Sequence, residues 1–293
     1  MIVVGSVNVD RVLRCPTLPR PGETVLTTTT NVGYGGKGGN QAAAAARLGA
    51  DTWLIAAVGA DADGAAAVSD LRGCGVHVEG VYTVPDAVTG QATVLVDDRG
   101  ENAIVVAPGA NRSLTFGHVS AALRALALDA TDVVLVSAEV GERCVEAAAR
   151  LCAEVRAQMV YNLAPARPLG AWDSTAPVVL VVNEVEAAQV AGARDPEEAI
   201  GWLQRRLVPT VVTRGARGAL IVTPDGVWTV PAASAHVVDT TGAGDAFCGA
   251  LAADLASGAD LLAALHTAVA AAAVAVSAPG ARGALARRKD LTS

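Results

Sequence analysis

Aromatic side chains make up only 3% of the 293 residues, and the formal net charge is -7. Both argue against a nucleic-acid partner, which wants basic grooves and stacking rings. A small-molecule partner is the expectation. Paired cysteine motifs are also missing. Cys15, Cys74, Cys144, Cys152 and Cys248 contain no CxxC and no zinc-like spacing, so the thiols read as reduced, buried and non-catalytic. The four histidines, His77, His118, His236 and His266, show neither ligand spacing nor a partner acid. No run of large apolar residues approaches a bilayer span, and no basic, apolar leader precedes the opening Ile2-Val3-Val4-Gly5. The expectation is a cytoplasmic protein with no membrane partner.

Apolar content, by contrast, is ample. At 52% hydrophobic and 17% charged residues, the chain is globular in composition and long enough to bury a sizeable core. Much of the apolar count is alanine, as in Ala42 to Ala46 and Ala270 to Ala273, which marks helix without saying which face is buried. Short β-branched runs at residues 2–4, 53–58, 133–136, 178–182 and 210–213 read as buried strands. They alternate with helix-like stretches at 40–48, 64–72, 142–155, 184–191 and 196–207. That rhythm predicts a layered α/β fold around a mainly parallel sheet. Two segments break it. Arg11 to Tyr34, with Pro16, Pro19, Pro21 and the run Thr27 to Thr30, and Thr89 to Val106, around the turn Asp97-Asp98-Arg99-Gly100, read as β excursions. They are expected to form one small β-sheet lid (about 11–35 and 89–106) inserted in a single α/β domain over 1–293, and a lid implies a site worth closing.

The most informative stretch is Asp239-Thr240-Thr241-Gly242-Ala243-Gly244-Asp245, followed by the helix-prone run Ala246 to Ala252. Small residues at a helix N-terminus leave backbone N–H groups and the positive end of the dipole free for an anion such as phosphate. Asp245 just beyond them is placed to accept a proton from a hydroxyl aimed at that phosphate, as phosphoryl transfer requires. A Gly-rich turn with Asp245 as a helix cap fits the same spacing. The segment from Gly33 to Asn40 contains GxGxxG (Gly33, Gly35, Gly38), with Asp51 further on, but it does not follow the first buried strand as a dinucleotide site requires; Lys37 is followed by Gly38, so it is no P-loop either. Its glycines would instead let backbone approach a polar ligand, with Gly36, Lys37 and Asn40 close to its hydroxyls.

Asn8 and Asp10, just after the first strand, suit vicinal diols or a turn. Glu139, after residues 133–136, suits another hydroxyl or a solvated surface. Asn183 and Glu186 form an NxxE whose i, i+3 spacing suits either magnesium held mostly by phosphates or a helix cap. Thr213 to Gly218 suits nucleotide phosphates or a hairpin turn.

Gly35 to Ala42 (GGKGGNQA) and Asp239 to Asp245, in that order some two hundred residues apart, resemble the two motifs of the ribokinase family of carbohydrate kinases, also called the phosphofructokinase-B family. The resemblance spans nearly the whole chain. It implies a three-layer α/β/α domain with a β lid, and an ATP-dependent kinase. Gly5 to Asp10, Pro108 to Asn111 and Ala164 to Arg167 are similar to the branch that phosphorylates the 5-hydroxyl of ribose; another sugar or nucleoside, or a sugar-binding protein without turnover, are the alternatives.

The resemblance implies residue roles as well. Asn8, Asp10, Gly36, Lys37, Asn40 and Glu139 would hold sugar hydroxyls, Asp245 would be the base, and Gly242, Ala243 and Gly244 the anion hole. Asn183 and Glu186 would organise magnesium (Mg2+) and its waters, while Thr213, Gly215 and Gly218 would meet the nucleotide phosphates together with Asn183 and Gly244. Asp239 and Thr241, with Val276 and Gly280 in the loop from Val276 to Ala281, would hold a monovalent cation, usually potassium (K+). A homodimer through the lid is implied too. Val269 stands where the family often presents His or Asn to adenine, Leu163 where proline is usual, and the loop Ser277 to Ala281 lacks the basic residue often found before its glycine.

Overall fold

The computed structural model describes residues 1–169 and 177–291. Nine strands form the main sheet: β1 (Ile2–Val4), β4 (Trp53–Gly59), β5 (Val81–Val84), β8 (Val133–Ser137), β9 (Gln158–Asn162), β10 (Val178–Asn183), β11 (Thr210–Thr213), β12 (Ala219–Thr223) and β13 (Gly226–Val230). Their order is β13-β12-β11-β10-β9-β8-β1-β4-β5. Every pairing from β5 to β11 is parallel, and β12 and β13 add an antiparallel edge.

Strand periodicity sends alternate side chains to opposite faces. Val3, Leu135, Val181 and Val211 pack beneath α1 (Lys37–Arg47), α2 (Ala62–Gly73), α7 (Ala243–Ala256) and α8 (Leu261–Ala275). Ile2, Val4, Val136 and Leu180 pack beneath α3 (Phe116–Ala125), α4 (Glu142–Val155), α5 (Glu184–Ala191) and α6 (Pro196–Gln204). The central strands are therefore apolar throughout, as a sheet covered on both faces requires. Among the described residues no helix is long and apolar enough to cross a membrane.

A second sheet collects the segments that broke the α/β rhythm: β2 (Asn8–Arg14), β3 (Thr29–Gly35), β6 (Gly90–Val96) and β7 (Asn102–Ala107), in the order β3-β2-β6-β7. The central pair β2–β6 is parallel and both outer pairs are antiparallel. Asp97 closes the β6–β7 turn by accepting the amides of Arg99 and Glu101. β2 begins only four residues after β1 ends, so Asn8 and Asp10 belong to a strand and not to the turn their composition also allowed. The first helix begins at Lys37, three residues earlier than its alanines indicate, and the helix expected over 196–207 ends at Gln204.

The alanine run proves to be an interface. Ala42 to Ala45 are all buried, and α1 lies against α7 where both helices carry small residues. A Cβ on Gly249 of α7 would stand 2.5 Å from the Gln41 carbonyl oxygen and 2.9 Å from Ala44 Cβ. Only glycine lets the helices approach this closely, and the approach brings the first turn of α1 to the first turn of α7. Gly249→Val should cost about 1–3 kcal/mol, the usual range for overpacking, read as a lower urea midpoint at unchanged m-value. An unchanged midpoint would mean that the crossing is not tightly determined.

Candidate active site

Two helix N-termini, on one side of the main sheet, define the site. Gly36 precedes α1 at φ +82°, and a side chain there would meet Ser6 O and Asn8 N, both at 2.7 Å, so glycine is required. It provides no side-chain cap. Glu139 supplies one from a distance, accepting the Lys37 amide at 3.1 Å while its Oε2 also accepts a short hydrogen bond from Ser6 Oγ. Glu139 thus sits at the strand-end edge, bound to the loop after β1.

Gly242 starts α7 in the same way, at φ +76° and with no side-chain cap; a Cβ on it would reach 2.5 Å from Ala281 Cα. The Ala243 amide bonds Thr240 O at 3.2 Å. Of the small residues read as an anion hole, Ala243 therefore already spends its donor on the turn. The first-turn amides of Gly244 and Asp245 meet no capping side chain, and both residues line a cleft of roughly 150 Å³. Its walls also carry Lys37, Asn162, Asn183, Glu186, Thr213, Gly242 and Cys248.

Asp245 is buried and held by two amides. Asn40 Nδ2 donates to its Oδ2 at 2.9 Å and Gln41 Nε2 to its Oδ1 at 3.2 Å. Gln41 Nε2 also donates to Asn162 Oδ1 at 3.0 Å. Because both acceptors are oxygens, Gln41 must present its nitrogen, which leaves its buried Oε1 without a partner. Burial pushes the Asp245 carboxyl up, opposed by Lys37 and by the two amide hydrogen bonds, while Glu139 adds to the rise. For Lys37, burial alone would lower the ammonium, but Asp245 and Glu139 more than offset this and hold it above its ordinary value.

On the sugar side of the reading, Asn111 donates to Asn8 Oδ1 at 2.9 Å and grips the Val7 backbone at both its N–H and its C=O. Asn8 therefore turns its oxygen to Asn111 and its NH2 away from it. Asp10 is pushed up from 3.8 to about 6, first by burial, with Arg282 opposing and Glu139 and Asp245 adding to the rise. Asn8, Asp10 and Glu139 are not part of the cleft lining; Glu139 reaches it through the Lys37 amide.

The NxxE is a helix cap that also lines the cleft. Asn183 Oδ1 accepts from Glu186 N and Glu186 Oε2 accepts from Asn183 N, each at 2.8 Å, in a complete capping box, yet both residues line the cleft. Glu186 is pushed up by burial, with the Asn183 amide and Lys37 opposing. Among the described residues no three His, Cys, Asp or Glu side chains gather as a metal group. One half-buried carboxylate with an oxygen left over suits a cation held mainly by water and phosphate.

Thr213 lines the cleft, whereas Gly215 and Gly218 do not. Gly218 is packed against the backbone at the end of β13, where a Cβ would reach 2.6 Å from Ala232 N. Glu184 clasps this turn through Arg217 at 2.6 Å and Arg214 at 3.3 Å.

The cation-loop residues do converge. Asp239 accepts the amides of Thr241 at 2.9 Å and Gly280 at 2.8 Å, and the Val276 carbonyl accepts from Val238 and Asp239. Burial would raise Asp239, but these amide bonds outweigh it and hold the carboxyl low. The Asp239 carboxylate keeps acceptor capacity beyond these two amides, as a site for a monovalent cation needs.

Other expectations are corrected or filled in. His77 does have a partner acid: its Nε2 lies 2.8 Å from Asp51 Oδ1, so the acid weighed for a dinucleotide site is tied up on the surface beside Trp53. The glycine turn before α1 follows β3 of the small sheet, which removes the dinucleotide geometry. The five thiols are unpaired, and burial pushes the Cys248 thiol strongly up, as a non-catalytic cysteine requires. Gln41, Asn162, Ser6 and Arg282 were not singled out from sequence. Gln41 and Arg282 at least sit beside residues that were.

The Asp10 shift has a sign. Its folded value lies above its ordinary one, so folding takes up a proton between about pH 4 and 6; stability falls as pH rises through that window, and the cost is fully present above it. Asp10→Asn should therefore raise Tm at pH 7.5 and lose that gain below pH 4. A Tm gain independent of pH would contradict the assignment.

The model of the pfkB family of carbohydrate kinases matches residues 1–287. A bifunctional ribokinase/ribose-5-phosphate isomerase A of Fructilactobacillus sanfranciscensis is 37% identical over 262 residues, 87% of this chain and 48% of that protein, so this chain spans about half of it. The ribokinase of Bacillus subtilis is 35% identical over 289 residues, 99% of this chain and 97% of that protein. The structure of an Arabidopsis thaliana ribokinase complexed with ribose and ATP superposes with a TM-score of 0.87 at 28% identity, covering 99% of this chain and 96% of that one. With a buried acid at a bare helix N-terminus and a family match from end to end, the chain belongs to the pfkB family of carbohydrate kinases.

Proposed function

We propose that the protein is an ATP-dependent ribokinase, which moves the γ-phosphoryl group of ATP to the 5-hydroxyl of D-ribose and yields ribose 5-phosphate. The observation that carries this reading is Asp245, buried at the uncapped start of α7 with both carboxylate oxygens held by amides. The similarity to ribokinases over nearly the whole chain supports the substrate.

In the reaction Asp245 accepts the proton of the primary hydroxyl as its oxygen attacks the γ-phosphorus, and the bond to ADP breaks. The proton rests on Asp245 until solvent or product removes it. Lys37, held protonated, and the amides of Gly244 and Asp245 meet the charge on the transferring group. Asn8, Asp10, Lys37, Asn40 and Glu139 orient the sugar, with the Gly36 backbone beside Asn8 in the same set. Asn183 and Thr213 face the nucleotide phosphates, with Gly215 and Gly218 shaping the turn behind them. A magnesium ion arriving with ATP supplies charge neutralisation across the phosphates, and Glu186 is the residue that would hold it through water. Asp239, Thr241, Val276 and Gly280 would hold potassium, and its charge would act on the loop that precedes α7.

The small sheet closes over the sugar as a lid within a single domain and keeps water from the phosphoryl group. Its outer strands leave Val32 on β3 and Ile104, Val105 and Val106 on β7 exposed. Two such faces would cover each other in a homodimer. Five cysteines that form no disulfide support a reducing, cytoplasmic setting as part of this proposal.

ADP release with magnesium across ribose, 2-deoxyribose, fructose and adenosine, with and without potassium, tests the reading; ribose-dependent turnover raised by potassium is expected, and turnover only with another acceptor would overturn the substrate. Asp245→Asn should lower kcat by roughly 10²- to 10⁴-fold, the usual share of a general base, with ribose binding largely retained, and a variant of near-normal turnover would remove Asp245 from the mechanism. Val105→Arg should convert the dimer to a monomer by sedimentation; a parent protein that is already monomeric would contradict the lid interface.

A further inference from the structure

Arg282 plays no part in the chemistry above, yet its place in the fold is specific. It leaves the loop after α8 two residues beyond Gly280, and its side chain is 11% exposed. Nη1 pairs with Asp70 of α2 at 2.6 Å, Nε donates to Asn40 Oδ1 at 2.9 Å, and Nη2 reaches the Gly35 carbonyl at 3.5 Å. A Cβ on Gly39 would stand 2.5 Å from Nη2, so that glycine leaves the guanidinium its room. The residue before Arg282 is Ala281, the contact of Gly242. One side chain thereby joins the loop beside the anion hole to α1 and α2.

Two consequences follow from its chemistry. Arginine only donates, so Asn40 must turn its oxygen to Arg282 and its nitrogen to Asp245. A flipped amide would set oxygen against carboxylate oxygen. The charge acts separately. Asp10 packs on Gly35, where a Cβ would overlap its Oδ2, and the Gly35 carbonyl is the one that Arg282 Nη2 reaches at 3.5 Å; the carboxylates of Glu139 after β8 and Asp245 on α7 also act on Asp10, and Arg282 is the cation that opposes them.

We propose that Arg282 is a positioning residue for the sugar site, which orients the Asn40 amide toward Asp245 and supplies the counter-charge that lets Asp10 meet a hydroxylated ligand as a carboxylate. The proposal rests on the sugar-kinase reading only for its effect on turnover. Its geometry is testable without ligand.

The experiment is a carboxyl 13C titration of ligand-free protein, with the Asp10 signal assigned by its loss in Asp10→Asn. In Arg282→Met the Asp10 midpoint should rise by about one unit, the low end of what a nearby opposite charge contributes, and Arg282→Lys should restore most of it. In ribose assays of the methionine variant, KM should rise about threefold at pH 6.5, where a midpoint moved from about 6 to about 7 lowers the ionised fraction of Asp10 by that factor, and recover above pH 8. A purely structural arginine would lower Tm without moving the midpoint. Should the methionine variant fail to fold, Arg282→Gln keeps a donor for Asn40 and removes the charge, and should show the same rise. A folded variant with an unmoved Asp10 midpoint overturns the proposal. If the parent protein turned over no ribose, the substrate assignment would fall while the titration still decided the role of Arg282.

Discussion

The site depends on the contact between the first turns of α1 and α7. Asn40 and Gln41, adjacent on one helix, hold the two oxygens of Asp245 on the other, and that is possible only because alanines and Gly249 let the helices approach closely. Two uncapped N-termini facing each other are electrostatically costly alone, since their positive dipole ends repel. Glu139 at one and Asp245 at the other offset that cost. The same arrangement leaves donors free for a phosphoryl group and keeps a buried carboxylate in a fixed rotamer. Stability and function draw here on the same atoms.

Charge balance explains why so many acidic groups can gather. Asp10, Glu139, Asp245 and Glu186 stand around Lys37 and Arg282, and no single cation neutralises them all. Burial raises Asp10, Asp245 and Glu186 together, leaving the free site short of positive charge. Catalysis through positioning and electrostatics, the usual mode of phosphoryl transfer, suits such a site.

Much of the architecture was legible because strand and helix signals were strong: β-branched runs mark the central strands, and Glu142–Val155 and Glu184–Ala191 are the observed helices. The prolines and threonines of the small sheet announced a break in rhythm, though not that β2 would begin at Asn8. Alanine was the obscure letter. Ala42 to Ala45 named a helix but not its partner, so the crossing that builds the site was invisible. Motif residues at helix starts were legible in place yet ambiguous in role, and Asn183 with Glu186 shows why, since the pair caps a helix and lines the cleft at once. Gln41 and Arg282 act through contacts more than two hundred residues away in sequence, and no local pattern signals such a contact.

The central claim is that Asp245 directs phosphoryl transfer to the primary hydroxyl of a pentose. Phosphorus-31 NMR of the product formed from ribose and ATP tests it most directly, because proton coupling to phosphorus reports the carbon that carries the new ester. The account predicts a single product whose phosphorus couples to the two protons of C5. Coupling to the anomeric proton, or inorganic phosphate alone, would contradict it.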